Sequence, residues 1–217
     1  MKKKTLLIIL AVAMIFAFVV ERTEWGSPLK YADTKNGKEL TVVNSSFCVP
    51  ENWQTDLIEL SCGEKVDRLI YPDLQAMFDT ALSEGVDLVV RSGYRSYEQQ
   101  KAIMINKISQ LRLEGFDKED AKENALKWVA MPGTSEHELG LAVDINAENG
   151  TNGKDAYKWL SENSYKFGFI VRYPASKSEI TGISYEPWHF RYVGKKHAME
   201  IYKSGLCLEE YIRFFGD

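Results

Sequence analysis

The stretch LGLAVDIN, residues 139–146, decides the fold because apolar and polar side chains alternate along it. Successive side chains of a β-strand point to opposite faces, so Leu141, Val143 and Ile145 share one face. Asp144 lies on the other face. The stretch therefore predicts a half-buried strand whose polar face is open.

The rest of the chain mixes predicted helices with predicted strands. Ser96 followed by Gln99 is a capping box, which marks the start of a helix extending to about residue 111. Because several strand pairs have short links, the order favours an α+β fold with a small antiparallel sheet and flanking helices. The other predicted helices cover 72–83, 118–130, 154–166, 195–203 and 208–215. The other predicted strands cover 40–43, 86–92, 169–171 and 188–193.

The chain begins with MKKK, followed by an almost wholly apolar run at residues 5–20. A basic cap before such a run predicts an export signal, either a cleaved signal peptide or an uncleaved anchor with a short span. The residues after the run offer no convincing cleavage site, which favours a single-pass anchor at 1–20. The lysines would then stay in the cytoplasm, and the body would lie on the extracytoplasmic side of the cell membrane.

This interpretation divides the chain into an anchor (1–20), a juxtamembrane stalk (21–45) and a folded domain (46–217). The 217 residues are 45% hydrophobic and 27% charged, as in a globular protein with one sizeable core. The net charge is −4, and every acidic residue follows the anchor, which excludes nucleic acid as the main partner. Cys48 and Cys62 could form a disulfide outside the cell, or the cysteines could be buried thiols; both interpretations remain open.

The chain has only three histidines, and two of them, His137 and His189, lie in short stretches that contain carboxylates. Together with Asp144 they are candidate metal ligands. Two imidazoles and one carboxylate leave a fourth tetrahedral position for water, as in catalytic zinc sites, whereas a site made only of oxygens would suit magnesium or calcium. Separate structural roles for these residues are the alternative, and His197 is interpreted as an ordinary surface histidine.

Glu186 is the candidate catalytic base. In a regular strand it would face away from His189, three residues later, but Pro187 between them makes a bend plausible. The stretch HELGL is not a zinc-binding HExxH helix, because Leu141 stands where the second histidine is needed. Glu138 is therefore interpreted as a surface carboxylate rather than a base.

Three further polar residues are candidates for handling a substrate. Arg95 precedes the cap of its helix, and its guanidinium could hold a carboxylate or a developing oxyanion, or else form a surface ion pair. Gln100 lies in the second turn of the same helix. Ser135 could donate a hydrogen bond to a substrate carboxylate or could merely shape its loop.

Three stretches together resemble one known family: SGYRS at 92–96, PGTSEHELGLAVDI at 132–145 and YEPWHFRYVG at 185–194. They are similar to the VanY-type D-alanyl-D-alanine carboxypeptidases, a family that includes L,D-carboxypeptidases and is related to the VanX dipeptidases. The family patterns SxHxxGxAxD and ExWH match at every fixed position. The resemblance covers roughly residues 64–215.

The resemblance implies a zinc D,D-peptidase (hedgehog-like) fold and a metallopeptidase activity. His137, Asp144 and His189 would ligate Zn2+. Glu186 would be the catalytic base. Arg95 would polarise the scissile carbonyl group and stabilise the oxyanion.

The resemblance also implies a substrate, a peptidoglycan precursor whose stem pentapeptide ends in D-Ala-D-Ala. Gln100 and Ser135 match positions that help to seat it. Removing the terminal D-Ala would destroy the target of vancomycin-type antibiotics and contribute to resistance. The nearest alternative is an L,D-carboxypeptidase that trims tetrapeptides. A D,D-dipeptidase is a weaker alternative, because an exported domain would not meet the cytoplasmic dipeptide. A non-catalytic, zinc-containing peptidoglycan-binding domain is another, but it would not need Glu186.

Overall fold

The computed structural model of the protein describes residues 30–216. The predicted anchor at 1–20 and the first part of the predicted stalk, 21–29, lie outside the described residues. Among the described residues, no helix combines the length and the apolar character that crossing a membrane requires.

The strands of the described chain are short, and four of them form the central sheet. In chain order they are β1 (Lys30–Tyr31), β2 (Phe47–Cys48), β3 (Leu57–Glu59), β4 (Lys65–Asp67), β5 (Leu88–Ser92), β6 (Ala142–Ala147), β7 (Phe169–Val171) and β8 (His189–Tyr192). β1 pairs with β2 and β3 pairs with β4, while the central sheet has the order β5-β6-β8-β7. Its neighbouring strands are all antiparallel, which confirms the predicted sheet.

Helices pack against strands of the central sheet, and the mixture confirms the α+β prediction. The predicted capping box is present: the Gln99 amide donates to the Ser96 hydroxyl, and the Ser96 amide donates to the Gln99 side chain. The α-helices of residues 30–216 are α1 (Tyr71–Ser83), α2 (Tyr97–Leu113), α3 (Lys118–Leu126), α4 (Gly153–Asn163), α5 (Ser178–Thr181), α6 (Lys195–Ser204) and α7 (Leu208–Phe215). Short 3-10 helices cover Glu136–Leu139, Ser164–Phe167 and Ala175–Lys177.

The apolar face of β6 packs into the main core, as its alternating sequence predicts. Val143 and Ile145 are fully buried in one cluster with Met77 of α1 and Phe190 of β8. Burying one such side chain stabilises a fold by about 1.5–3 kcal/mol. The core therefore determines which face of β6 points inward, and it leaves Asp144 on the opposite face.

Strand pairing brings polar residues of three strands side by side. In the ladder between β6 and β8, Asp144 lies opposite His189. In the ladder between β5 and β6, Ser92 lies opposite Asp144, after a register shift between Val90 and Ser92. Opposed residues of antiparallel strands have Cβ atoms about 4.5–5.5 Å apart. The register of the sheet therefore assembles the polar site.

The described residues before position 46 pack into the domain, in contrast to the predicted stalk. Leu40 and Val43 are buried, and the compact unit begins at Tyr31. The domain boundary predicted at residue 46 thus differs from the structure, because these apolar side chains complete the core rather than stand outside it.

The strand predicted at 40–43 is irregular chain in the structure. Backbone carbonyl groups in and beside this segment bind an arginine side chain instead of a neighbouring strand. The Arg191 Nη2 atom donates to the carbonyl oxygens of Glu39 and Thr41, each at 2.9 Å. These contacts engage carbonyl groups that a sheet ladder would otherwise use.

The helix predicted at 118–130 ends at Leu126. Two carbonyl groups after this point have tertiary partners: Lys127 accepts from the Ser184 amide at 2.8 Å, and Ala130 accepts from Gln100 Nε2 at 2.7 Å. The last predicted turn is thus replaced by contacts to distant parts of the chain.

No disulfide joins any two of the three cysteines, all of which lie among the described residues. Cys48 and Cys207 are buried, and Cys62 is exposed. The sequence left a Cys48–Cys62 disulfide and separate thiols as alternatives, and in the structure these two cysteines are not linked.

Candidate metal centre

His137, Asp144 and His189 converge, and each can offer one ligand atom within 4.8 Å of the others. His137 lies in the 3-10 helix Glu136–Leu139, and Gly140 ends that helix in the left-handed conformation, with φ 73°. A left-handed residue without a side chain lets the chain reverse sharply into β6. The strand register then sets Asp144 beside His189, as described above.

The His137 ring presents a lone pair to the centre. Its Nδ1 donates to the carbonyl oxygen of Gly93 at 2.7 Å. Only glycine fits at position 93, because a Cβ atom there would overlap the carbonyl oxygen of Lys65. Burial lowers the pKa of His137 to about 4, so the ring is neutral at pH 7. Its Nε2 is then an acceptor, and among the described residues it is a buried side-chain atom without a hydrogen-bond partner. Asp144 Oδ1, another acceptor, lies 3.4 Å away, so a cation held between these two atoms would relieve the repulsion between their lone pairs.

The His189 ring has a carboxylate at each nitrogen. Nδ1 lies 3.0 Å from Asp144 Oδ1, and Nε2 lies 3.5 Å from Glu136 Oε2. Burial by itself lowers the pKa of His189, but these two hydrogen bonds outweigh it and raise the pKa to about 9. Burial likewise opposes ionisation of Asp144, yet the hydrogen bond and the positive charge of the protonated His189 keep the pKa of Asp144 well below its usual range.

Glu186 faces the same cavity, which has a volume of about 550 Å³. A turn at Pro187 and Trp188 follows it, and the His189 amide donates to the Glu186 carbonyl group across this turn. The predicted bend is therefore present. Burial raises the pKa of the Glu186 carboxyl group to about 7. A carboxyl group that titrates near neutrality can both take up and return a proton.

Arg95 lies beside Asp144 and is fixed at each guanidinium nitrogen. Nη2 contacts Asp144 Oδ2 at 3.3 Å, Nη1 donates to Gln100 Oε1 at 2.8 Å, and Nε donates to Ser92 Oγ at 3.1 Å. Gln100 in turn donates to the Ala130 carbonyl group, so its amide is used at both ends within the protein. The structure thus places Gln100 as a support of Arg95. Burial lowers the pKa of Arg95, but an arginine stays cationic in proteins.

Ser135 lines the cavity and caps the 3-10 helix that carries His137. Its Oγ accepts from the His137 amide at 3.4 Å. Glu138 completes the capping box, since its Oε1 accepts from the Gly133 amide at 2.8 Å and from the Ser135 amide at 3.4 Å. The interpretation of Glu138 as a surface carboxylate is therefore wrong: it is buried, because the tight turn needs an acceptor for these amide groups.

The third histidine lies away from the centre. His197 Nδ1 contacts the Tyr211 hydroxyl group at 2.7 Å, and its side chain is 31% exposed. It is therefore a partly exposed histidine between α6 and α7, outside the candidate ligand set.

Two residues of the centre were missed by the sequence reasoning. Glu136 is buried behind His189, and the ring of Tyr173 lies 4.9 Å from the ring of His189. A glutamate in a short acidic stretch and a lone tyrosine carry no local signal for such positions. Both residues are recognisable only through their contacts with His189 of β8, which lies far from residue 136 in the sequence.

Comparison with known proteins gives a consistent result. The family model described as VanY, D-alanyl-D-alanine carboxypeptidase, matches residues 63–195. A D-alanyl-D-alanine carboxypeptidase from Enterococcus faecalis is 52% identical over 174 residues, which cover 80% of this chain and 65% of that relative. The chain thus spans just under two thirds of the length of this curated relative.

Three solved structures are similar over most of the described fold. A VanY D,D-pentapeptidase mutant from a VanB-type vancomycin resistance cassette, in complex with Zn(II), has a TM-score of 0.79 and 51% identity, covering 81% of this chain and 99% of that one. VanYB in complex with D-alanine-D-alanine has a TM-score of 0.80 and 50% identity, covering 82% and 98%. The LD-carboxypeptidase LdcB has a TM-score of 0.66 and 41% identity, covering 79% and 84%.

Proposed function

The chain belongs to the VanY family of D-alanyl-D-alanine carboxypeptidases, and from this membership we propose that it is a zinc-dependent D,D-carboxypeptidase. Its substrate is the peptidoglycan stem pentapeptide, from which it removes the C-terminal D-Ala. The observation that carries the proposal is the neutral His137, whose buried Nε2 faces Asp144 and His189 without a hydrogen-bond donor.

The donor set suits zinc. His137 Nε2, an oxygen of Asp144 and His189 Nδ1 would hold the ion, and two nitrogen donors with one carboxylate are typical of catalytic zinc sites. A bound zinc ion supplies Lewis acidity, which lowers the pKa of a water molecule toward neutrality and polarises a carbonyl group. The relative that was solved with Zn(II) supports this assignment.

Glu186 and Arg95 carry out the rest of the hydrolysis. Glu186 takes a proton from the attacking water, whose oxygen bonds to the carbonyl carbon of the penultimate D-Ala. The Arg95 guanidinium stabilises the negative charge that develops on the carbonyl oxygen. When the C–N bond breaks, Glu186 returns the proton to the nitrogen of the departing D-Ala. Ser135, with Gln100 holding Arg95 in place, seats the substrate. No covalent intermediate forms, so β-lactams do not acylate the protein.

Residues 1–20 act as a single-pass anchor that places the domain on the extracytoplasmic side of the cell membrane. The basic cap and the apolar run of that segment support this assignment. Removing D-Ala from precursors at this face would reduce the target of vancomycin and contribute to resistance.

The test is release of D-alanine by the full chain with zinc added. Muramyl pentapeptide and tetrapeptide are incubated separately, with and without a chelator, and the products are identified by mass spectrometry. We expect the pentapeptide alone to lose one D-Ala, and the chelator to abolish this loss. Release from tetrapeptide alone would favour an L,D-carboxypeptidase, which the similarity to LdcB keeps as the second candidate. Binding to cell wall without release of product would contradict both.

Zinc binding is expected to release about one proton from His189 at pH 7, together with part of a proton from Glu186, whose pKa near 7 a bound cation would lower, and to tighten as the pH rises. In the metal-free protein His189 is protonated, because its pKa is raised to about 9, whereas His137 is already neutral. His189 must lose its proton before Nδ1 can bind a metal, so the apparent affinity should rise about tenfold per pH unit and level off above pH ~9. Calorimetry in buffers of different ionisation enthalpy measures the released protons. An affinity that does not change between pH 6 and 8 would contradict the assignment of His189, and a His197→Ala variant should retain the slope.

A further inference from the structure

Glu136 lies directly behind His189, on the side away from the candidate metal ligands. Its Oε2 atom is 3.5 Å from His189 Nε2, and its side chain is 0% exposed. In metal sites the second nitrogen of a ligating imidazole usually donates to a carboxylate or carbonyl group, which fixes the tautomer and the ring orientation. The position of Glu136 matches that of such a partner.

Glu136 is itself held by two buried arginines. Its Oε1 atom accepts from Arg172 Nε and from Arg191 Nη1, both at 2.7 Å, and both arginine side chains are 0% exposed. Arg172 also forms a double hydrogen bond with Glu209 of α7, at 2.6 and 2.9 Å. We call these four residues the arginine cluster. It contains two positive and two negative charges, and a balanced cluster can persist in a dry interior.

The two oxygen atoms of Glu136 have different partners. Both arginines bind Oε1, which leaves Oε2 directed at the imidazole. Arg191 cannot turn away, because its remaining donors bind the carbonyl groups of Glu39, Thr41 and Tyr192. The carboxylate is thus clamped in the orientation that an imidazole N–H would need.

We propose that Glu136 is a positioning residue: clamped by Arg172 and Arg191, it holds His189 with its proton on Nε2 and its Nδ1 free for the metal. His137 has the opposite arrangement, since its Nδ1 donates to Gly93 and its Nε2 faces the centre. The inference rests on the proposed zinc site, but it assigns a role to a residue that is neither a proposed metal ligand nor one of the proposed catalytic residues, Glu186 and Arg95.

The experiment compares Glu136→Asp with Glu209→Asp in the full chain. Each change shortens one carboxylate bound to Arg172 and keeps its charge, so each weakens an ion pair of the same arginine. Only Glu136→Asp moves a carboxylate away from His189. We expect its zinc Kd, measured by competition with a chelator, to rise about 10–100-fold, and the zinc Kd of Glu209→Asp to change by less than about threefold. Melting curves show how much stability each variant has lost.

A second measurement does not depend on the variants folding. The chain has three histidines, so their ring nitrogens can be assigned by NMR in the zinc-loaded, ¹⁵N-labelled protein. We expect His189 to be protonated at Nε2 and His137 at Nδ1. A His189 ring protonated at Nδ1 would overturn the proposal. So would equal zinc affinities for the two aspartate variants, because Glu136 would then only pair with the arginines.

Failure of this inference is distinguishable from failure of the proposed function. If the protein binds zinc with His189 in the expected tautomer and Glu136→Asp weakens this binding, but no D-alanine is released, the positioning role stands and the carboxypeptidase proposal falls. If it releases D-alanine and Glu136→Asp keeps its zinc affinity, the reverse holds. A protein that binds no zinc would overturn both.

Discussion

Replacing Glu186 by glutamine is expected to lower kcat/KM for D-alanine release by about 10³-fold, within the 10²–10⁴ range typical of general acid–base catalysis. The substitution keeps the shape of the side chain, but a neutral amide cannot take a proton from water. Glu186 is not among the three residues whose donor atoms converge, so zinc should remain bound. Turnover of pentapeptide and zinc content, measured on the same preparation, separate the two effects.

The matched control is Glu179→Gln, the same change at an exposed carboxylate of α5. It should leave both turnover and zinc content unchanged. Near-normal turnover in Glu186→Gln would remove Glu186 as the base. Loss of zinc in that variant would show instead that Glu186 supports the metal.

The burial of Glu186 suits the role of base that we propose for it. Its pKa is raised to about 7 by burial, well above that of a carboxyl group in water. A bound cation would lower this value, because an opposite charge nearby favours the ionised form. We therefore expect the group to be ionised at neutral pH when a metal is bound, as the proposed base must be.

Much of the fold follows from local signals in the sequence. The alternation in residues 139–146 determines the face of β6, the capping box at Ser96 starts α2, and Gly140 ends the 3-10 helix. Each of these depends on residues a few positions apart. Secondary structure and the inward face of a strand are therefore predictable where neighbouring residues set them.

Other features depend on partners that lie far away in the sequence. The carbonyl groups of Glu39 and Thr41 bind Arg191, which is 152 and 150 residues later. Nothing in the apolar pattern at 40–43 distinguishes this arrangement from a strand. Glu138 and Glu136 were missed for the same reason, since buried acidic residues are recognisable only once their donors are in place.

The convergence of His137, Asp144 and His189 was predicted from residue type and from the family resemblance. The sequence did not predict what brings these side chains together. Asp144 and His189 meet because they are paired opposite each other in the ladder between β6 and β8. The orientation of each imidazole ring could not be predicted either, because it depends on the contact of His137 with the Gly93 carbonyl group and of His189 with Glu136. The roles of these residues in catalysis remain predictions, and the substitutions proposed here test them.

Replacing His189 by alanine is expected to remove zinc from the purified protein and to abolish release of D-alanine. The change takes away one of three donors. The apparent zinc affinity should fall by more than the 10–100-fold that loss of an outer partner typically costs. It also leaves Asp144 and Glu136 without the imidazole between them. Zinc content by elemental analysis, on protein shown to be folded by circular dichroism, is the measurement.

The His197→Ala variant is the matched control, because it makes the same change at a histidine whose ring contacts Tyr211 and lies outside the cavity. It should bind one zinc ion and turn over pentapeptide normally. Full zinc occupancy in His189→Ala would remove His189 from the ligand set. The metal would then have to be held by His137 and Asp144 with another donor of the cavity, and Glu186 would be the candidate, so the same result would also reopen its assignment as the base.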